Sequence, residues 1–242
     1  MGIFKRARIF LDFAGGHDNP SAIHSEGTAA KKRLENARER LARLLHVQMK
    51  EIVFTSGGTE SDNLAILGVF EFAKQSVSRP HIIISSVEHS AVSEVAKEVE
   101  RRGGEVTVLE LEDGVVNANT VLKAIKDNTV LISIVYANSH TGGINPISKI
   151  TRLVREVRNK NNSKYPLVHT DATQALGLLE VSFPKLGADL VTLDASKISG
   201  PKGVSTLIVR SNASIRPIIF GGGQEFGLRS GTENLDAIEK FV

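Results

Sequence analysis

Short apolar runs alternate with amphipathic stretches along most of this sequence. The apolar runs predict strands at 51–55, 81–85, 105–109, 129–135, 166–170, 188–193 and 204–209. The amphipathic stretches predict helices at 26–46, 60–74, 88–102, 118–127 and 146–161. Strands that are apolar throughout are expected when helices cover both faces of a mostly parallel sheet, so the alternation predicts an α/β fold.

The first predicted helix has the clearest amphipathic pattern. Its apolar residues form one stripe among Lys and Arg side chains: Leu34, Ala37, Leu41, Leu44 and Leu45. Because such spacings place residues on one helix face, we expect the stripe to face the core. The polar segments at 113–114 and 159–164 read as turns and not as linkers, which favours one large domain.

Composition excludes several classes of protein and site. A chain of 242 residues with 41% hydrophobic content can bury a large core without disulfides or metals. A net charge of +3 and 5% aromatic residues, with no basic segment interleaved with aromatics, argue against nucleic-acid binding. The sequence contains no cysteine, and His24, His46 and His169 lack metal-ligand spacing, so no disulfide or metal site is predicted.

The same survey predicts a cytoplasmic protein. No apolar stretch approaches the roughly 18 residues that a membrane-spanning helix needs. Residues 1–8 include basic side chains but lack the apolar core of a signal peptide.

The candidate chemistry begins with a lysine and an aspartate that each end an apolar run. Lys197 follows the run from Ala188 and precedes the glycine-containing turn at 198–203, and Asp171 follows the run at 166–170. Pyridoxal phosphate (PLP) needs a lysine amine to bind its aldehyde and a carboxylate to keep its pyridine nitrogen protonated. The pair therefore suggests PLP, although a lysine beside a glycine turn is more commonly a solvated charge. Lys202 is the alternative lysine in that turn.

Two glycine-rich segments are candidates for holding a phosphate. The segment 56–61 follows a predicted strand and opens a predicted helix, where free amides complement an anion. The plain alternative is an ordinary helix cap. In the second segment, 221–232, Arg229, Ser230 and Thr232 are able to meet a phosphate, or the segment is only a flexible loop.

The candidate residues are far apart in sequence but follow predicted strands. Residues 55–59, Asn138, Asp171 and Lys197 each come directly after one. Ligands of such sheets bind at the carboxyl ends of the strands. We therefore expect one crevice to collect these residues.

Taken in order, these segments resemble the cysteine desulfurases of the class V aminotransferase superfamily. The matching segments span nearly the whole chain, at 10–12, 19–27, 51–65, 88–89, 171–174, 197–203 and 221–232. The resemblance implies a three-layer αβα large domain of the type I PLP-dependent transferase fold, with a mostly parallel, mixed sheet. It also implies removal of sulfur from L-cysteine to give alanine, a sulfur-acceptor protein and a place in iron–sulfur cluster biogenesis.

The resemblance assigns roles to individual residues. Lys197 would bind the cofactor aldehyde, Asp171 would pair with the pyridine nitrogen, and His89 would stack on the ring. Either the freed Lys197 or His89 would move protons. Gln174 would bond the phenolic oxygen. Gly58 and Thr59 would lie at the phosphate, and Thr232 would reach the phosphate of the neighbouring subunit in a homodimer. Asn138 and Ser196 are also expected to contact the cofactor.

The sequence departs from the family pattern around the cofactor. Where the family has Ser and His before the lysine to bind phosphate, this chain has Asp194 and Ser196, and an inward-pointing Asp194 would repel a phosphate. Where the family commonly has Asn-Asn-Glu, this chain has Asn138-Ser139-His140, so a contact to the ring is expected to be weaker.

Larger departures concern whole segments. Asp12 and Asn19 are closer together than in the family, so residues 1–24 are interpreted as a shortened N-terminal arm and 25–242 as the PLP-binding large domain. The C-terminal small domain, which carries the sulfur-accepting cysteine and a substrate-binding arginine in the family, is expected to be absent. Three hypotheses remain: an impaired desulfurase-like PLP protein, a noncatalytic scaffold or partner protein of the same fold, and another class V lyase or aminotransferase.

Overall fold

The structure is a computed structural model that describes residues 19–242. Its strands are β1 Ile52–Thr55, β2 His81–Ser85, β3 Glu105–Leu109, β4 Thr129–Ser133, β5 Leu167–Asp171, β6 Leu190–Asp194 and β7 Ser205–Val209. Its helices are α1 Ser25–Leu45, α2 Gly58–Ala73, α3 Ser90–Arg101, α4 Ala118–Ala124, α5 Ile147–Lys160, α6 Phe183–Leu186 and α7 Leu235–Phe241. The sequence-based proposals for residues 1–18, including the segment 10–12 and most of the arm, lie outside the described residues.

The seven strands form one mixed sheet in the order β1-β7-β6-β5-β4-β2-β3. β7 is antiparallel to both of its neighbours, β1 and β6, and every other pairing is parallel. Two successive antiparallel pairings make β1 parallel to β6. The carboxyl ends of all strands except β7 therefore lie at one edge of the sheet, which confirms the mostly parallel, mixed sheet.

Helices cover both faces of the sheet and separate two apolar cores. Alternation along the strands supplies both cores, because successive side chains point to opposite faces. In β1, Ile52 and Phe54 pack in the core beneath α1, α4, α5, α6 and α7, whereas Val53 packs in the core beneath α2 and α3. This arrangement is the predicted three-layer architecture.

Most predicted elements are present, with differences at their ends. The strand predicted at 129–135 ends at Ser133, and the helix predicted at 118–127 ends at Ala124. Glu51 belongs to a short 3₁₀ helix that precedes β1 and not to the strand itself. The short helices α6 and α7 were not predicted, and the four residues of α6 are too few to show a helical period.

The prediction that the apolar stripe of α1 faces the core was wrong at one position. Leu44 is 65% exposed at the edge of the buried face, near the end of the helix. The middle of that face includes Arg38, which is only 2% exposed. Its guanidinium forms a two-pronged ion pair with Glu225 at 2.6 and 2.9 Å, and donates to the carbonyl of Ile52 at 2.8 Å. Charge pairing thus replaces apolar packing at this point of the core.

Candidate active site

A crevice of about 520 Å³ opens at the carboxyl edge of the sheet. Its walls come from the start of α2 and from the segments that follow β2, β4, β5 and β6. Eight of the residues selected from the sequence line it: Gly58, Thr59, His89, Asn138, Asp171, Gln174, Ser196 and Lys197. The expected convergence of strand-end residues is therefore present, and Thr232 is the exception.

Lys197 is held in the crevice by a short 3₁₀ helix, Ala195–Ile198, that directly follows β6. The helix ends in a tight turn: Ser199 has a φ of 61°, and the Gly200 amide donates to the Ala195 carbonyl at 2.9 Å. A β-carbon on Gly200 would lie only 2.7 Å from that carbonyl oxygen, so the turn requires glycine there. Lys202 is exposed and does not line the crevice, which favours Lys197 as the lysine facing a ligand.

Asp171 is the last residue of β5 and is 7% exposed. Burial raises the pKa of its carboxyl, while the Thr173 amide, which donates to Asp171 Oδ1 at 2.9 Å, acts in the opposite direction. The Thr173 hydroxyl lines the same crevice, is buried, and has no hydrogen-bond partner among the described residues. The crevice thus holds a buried carboxyl group and, beside it, a buried hydroxyl.

His89 lies at the start of α3, where it caps the helix. Its Nδ1 accepts a hydrogen bond from the Ala91 amide at 3.1 Å. Because an imidazole nitrogen that accepts a hydrogen bond carries no proton, the neutral ring has its proton on Nε2. His89, which lines the crevice, therefore carries an N–H donor on Nε2.

Glu88 and Asp62 are site residues that the sequence reasoning did not assign a role. The carboxyl group of Glu88 is buried, although the residue as a whole is half-buried. Its Oε1 accepts from the Val135 amide at 2.8 Å and from the Ser85 hydroxyl, and Oε2 has no partner among residues 19–242. Burial raises the pKa of Glu88 to about 8, so it is largely protonated at neutral pH.

Asp62 lies one turn into α2 and is almost fully buried. Burial raises the pKa of its carboxyl, and the neighbouring carboxylate of Asp171 adds to this effect. Asp62 lies 3.6 Å from Nε2 of His169, whose own pKa is lowered by burial to about 3. The sequence could have identified Asp62 as a site residue, because it follows Gly58 by four residues and so lies on the same side of the helix.

Asn138 lines the crevice, but its side-chain amide already forms hydrogen bonds with the neighbouring backbone. Its Oδ1 accepts from the His140 and Thr141 amides, each at 2.9 Å, and its Nδ2 donates to the Val87 carbonyl at 2.9 Å. The residue therefore ties the segment after β4 to the segment after β2. These three bonds leave the side chain with less capacity for a ligand than the sequence suggested.

The helix start at Gly58 has the form expected of an anion site, but a side chain of the protein already occupies it. Asp194 Oδ2 accepts from the Gly58 amide at 2.9 Å, and Asp194 Oδ1 accepts from the Ser196 amide at 2.8 Å. The Gly58 amide belongs to the 16-residue helix α2. Asp194 therefore points inward, the orientation in which it would repel a phosphate.

Thr232 lies outside the crevice of its own chain. It is exposed and borders a separate pocket of about 40 Å³ beside Arg229. Arg229 in turn pairs with Glu60 at 3.0 Å, in the first turn of α2. The segment 221–232 thus contacts the outer side of this helix start and contributes no residue to the crevice lining.

The comparisons with known proteins agree with this geometry. The family model for class-V aminotransferases matches residues 9–240. The chain belongs to this family. Cysteine desulfurase IscS 1 of Archaeoglobus fulgidus is 40% identical over 225 residues, 92% of this chain and 56% of the relative. Cysteine desulfurase IscS of Dictyoglomus turgidum is 42% identical over 238 residues, 98% of this chain and 57% of the relative.

Solved structures of similar sequence have the same fold. A NifS-like protein superposes with a TM-score of 0.85 at 39% identity, covering 92% of this chain and 60% of the other. The structure of SspA in complex with cysteine gives a TM-score of 0.82 at 37% identity, with 92% and 62% covered. The class-V fold is therefore confirmed. The chain spans a little over half the length of the curated relatives it matches.

Members of this family use PLP, and the crevice fits one part of that cofactor better than the other. Lys197, the buried Asp171 and the free Thr173 hydroxyl suit a ring with an aldehyde and polar substituents. The phosphate fits poorly, because the Asp194 carboxylate holds the Gly58 amide. Within residues 19–242, no cluster of three or more acidic or histidine side chains is arranged to hold a metal ion. None of the described helices has the length and apolar character needed to cross a membrane.

Proposed function

We propose that this chain binds PLP through Lys197 and acts as a cysteine desulfurase-like protein. The observation that carries the proposal is the convergence of Lys197 and Asp171, from the ends of two adjacent strands, in one crevice. PLP, when bound, supplies a ring that withdraws electrons from an amino acid substrate. The desulfurase relatives at about 40% identity make L-cysteine the favoured substrate, with alanine as the product.

The residues of the crevice would divide the work. Asp171 would keep a ring nitrogen protonated, since a nearby opposite charge favours the charged form. His89, with its proton on Nε2, would stack on the bound ring, and either His89 or Lys197 would move protons. Glu88, neutral at physiological pH, limits the negative charge that would otherwise surround Asp171.

Sulfur transfer needs a thiol that this sequence does not contain, because it has no cysteine. We propose that the sulfur passes to an acceptor thiol on another protein segment or partner, and that iron–sulfur cluster assembly is the destination. The chain by itself would then be impaired as a complete desulfurase. Alanine formation from L-cysteine should accordingly rise when a small thiol is added, and the Lys197→Ala variant should show no such rise.

We also propose a cytoplasmic homodimer in which Thr232 reaches the neighbouring crevice. Support comes from the exposure of Thr232 and its place outside the crevice of its own chain. Sedimentation should give twice the mass of one chain, and Thr232→Ala should weaken PLP retention only under conditions where the dimer forms. A monomer that retains PLP as well as the dimer does would contradict this arrangement.

The binding proposal is tested by trapping PLP with borohydride and mapping the modified peptide by mass spectrometry. The wild type and the Lys202→Ala variant should carry the adduct on the peptide that contains Lys197, and Lys197→Ala should carry none there. Lys202 is the matched control because it lies in the same segment but outside the crevice. An absence of adduct at Lys197 in the wild type would overturn the proposal.

A noncatalytic scaffold is the second candidate, and one observation favours it specifically. The Asp194 carboxylate holds the Gly58 amide, which a cofactor phosphate would use. A scaffold of this kind would keep its fold and its stability when Lys197 is replaced, and it would trap no PLP in the wild type. The same trapping experiment therefore separates the two candidates.

A further inference from the structure

Asp194 acts as an internal anion at the start of α2. Its two carboxylate oxygens accept hydrogen bonds from the Gly58 and Ser196 amides, at 2.9 and 2.8 Å. The first amides of a helix are unpaired within the helix, and the helix dipole favours negative charge there. Asp194 therefore places a negative charge at the Gly58 amide, where a bound phosphate would otherwise place one.

The side chains of Asp194 and Thr173 both lie close to Gly58. A β-carbon placed on Gly58 would lie 3.3 Å from Asp194 Oδ2 and 3.5 Å from Thr173 Oγ1. A phosphate that took the Gly58 amide would have to displace the carboxylate, and the two anions would remain close enough to repel each other. The Asp194 carboxylate thus opposes a phosphate arm in two ways, because it takes up the space beside Gly58 and repels negative charge.

Thr173 provides an independent sign of what the site accepts. Its side chain is 7% exposed, lines the crevice, and has a hydroxyl without a hydrogen-bond partner among residues 19–242. A hydroxyl group both donates and accepts, whereas a carboxylate only accepts. An uncharged hydroxymethyl arm of a ligand can therefore donate to Asp194 and also pair with Thr173.

We infer that Asp194 is a specificity-determining residue that removes the advantage a phosphate arm would have over an uncharged hydroxymethyl arm in this crevice. The inference rests on the proposed function, because it assumes that a pyridoxal-type aldehyde binds at Lys197. It adds that PLP and unphosphorylated pyridoxal are held with similar affinity. The aldehyde and ring contacts then dominate binding, and the phosphate adds little.

The test compares two probes, PLP and pyridoxal, on the full chain. Dissociation constants are measured by equilibrium dialysis for the wild type, Asp194→Asn and Asp194→Ser, with binding to Lys197→Ala subtracted. Asp194→Asn keeps an acceptor for the Ser196 amide and removes the charge, and Asp194→Ser restores the residue type that the family uses. Asp127→Asn is the matched control, because Asp127 is exposed, does not line the crevice, and carries the same charge.

The readout is the ratio of the two dissociation constants, which is insensitive to a general loss of folded protein. The wild type and Asp127→Asn should hold the two probes similarly, and both Asp194 variants should come to prefer PLP by about tenfold or more. A wild-type preference for PLP as large as that of the variants would overturn the inference. Failure of every protein to bind either probe through Lys197 would instead overturn the proposed function.

Discussion

Asp171 and Asp194 end neighbouring strands, β5 and β6, and line the same crevice, yet their surroundings differ. Asp171 is deeply buried, and burial raises the pKa of its carboxyl. Asp194 has both oxygens bonded to backbone amides, one of them at the start of a long helix. We expect the first carboxylate to gain from a cationic ligand, whereas each oxygen of the second already accepts an amide hydrogen bond. The donors around a carboxylate decide its role, and its position at a strand end does not.

The largest expected effect is on ligand binding at Asp171. Asp171→Asn keeps the acceptor for the Thr173 amide but removes the charge that would stabilise a protonated ring nitrogen. We expect PLP affinity to fall by roughly a hundredfold, in line with the cost of about 2–5 kcal/mol for removing one partner of a buried charge pair. Equilibrium dialysis measures the change, and Asp127→Asn is again the control. An unchanged affinity would show that Asp171 does not meet the ring nitrogen.

Glu88 extends the comparison to a carboxyl group that burial keeps protonated. Because its pKa rises from 4.5 to about 8 on folding, the folded protein holds a proton that the unfolded chain releases between these values. The free energy of unfolding should therefore fall as pH rises through this range.

Glu88→Gln should remove that contribution. Relative to this variant, the wild type should lose about 2 kcal/mol of unfolding free energy between about pH 6 and about pH 8. Urea denaturation of both proteins across the pH range measures the difference, and other titrating groups cancel in it. Parallel curves for the two proteins would contradict a raised pKa at Glu88.

The smallest expected effect is on the stability of the ligand-free protein. Asp194→Ala removes the cap of the 3₁₀ helix at Ala195–Ile198 and the anion at Gly58, so we expect a loss of about 1 kcal/mol. Asp171→Asn removes a carboxylate that burial disfavours, so the free energy of unfolding at neutral pH should not fall. Thermal and urea unfolding of the two variants measure these changes. An equal loss of stability in both variants would contradict the contrast between the two carboxylates.

The fold was largely predictable from the sequence because its strands are short, mostly apolar and separated by amphipathic helices. Patterns of this kind report burial on both faces of a sheet. The pattern failed where burial was not apolar, as at Arg38, whose charge is met by Glu225 from a distant segment. Such a pairing over 187 positions leaves no local signal.

The candidate site was predictable in its membership but not in its hydrogen bonding. Strand-end positions identified Asp171 and Lys197, since the carboxyl ends of parallel strands meet at one edge. The orientation of Asp194 toward Gly58 depends on the packing of β6 beside the start of α2, which the sequence does not specify. The protonation of Glu88 likewise depends on burial that only the three-dimensional structure contains.

The most direct test of the contrast between the two strand-end carboxylates is a parallel PLP titration of Asp171→Asn and Asp194→Asn, followed by visible absorption. Both variants remove one negative charge from the same crevice, so a simple effect of net charge would move them together. The account predicts opposite results: weaker PLP binding than the wild type for Asp171→Asn, and tighter binding for Asp194→Asn. A shift in the same direction for both variants would contradict it.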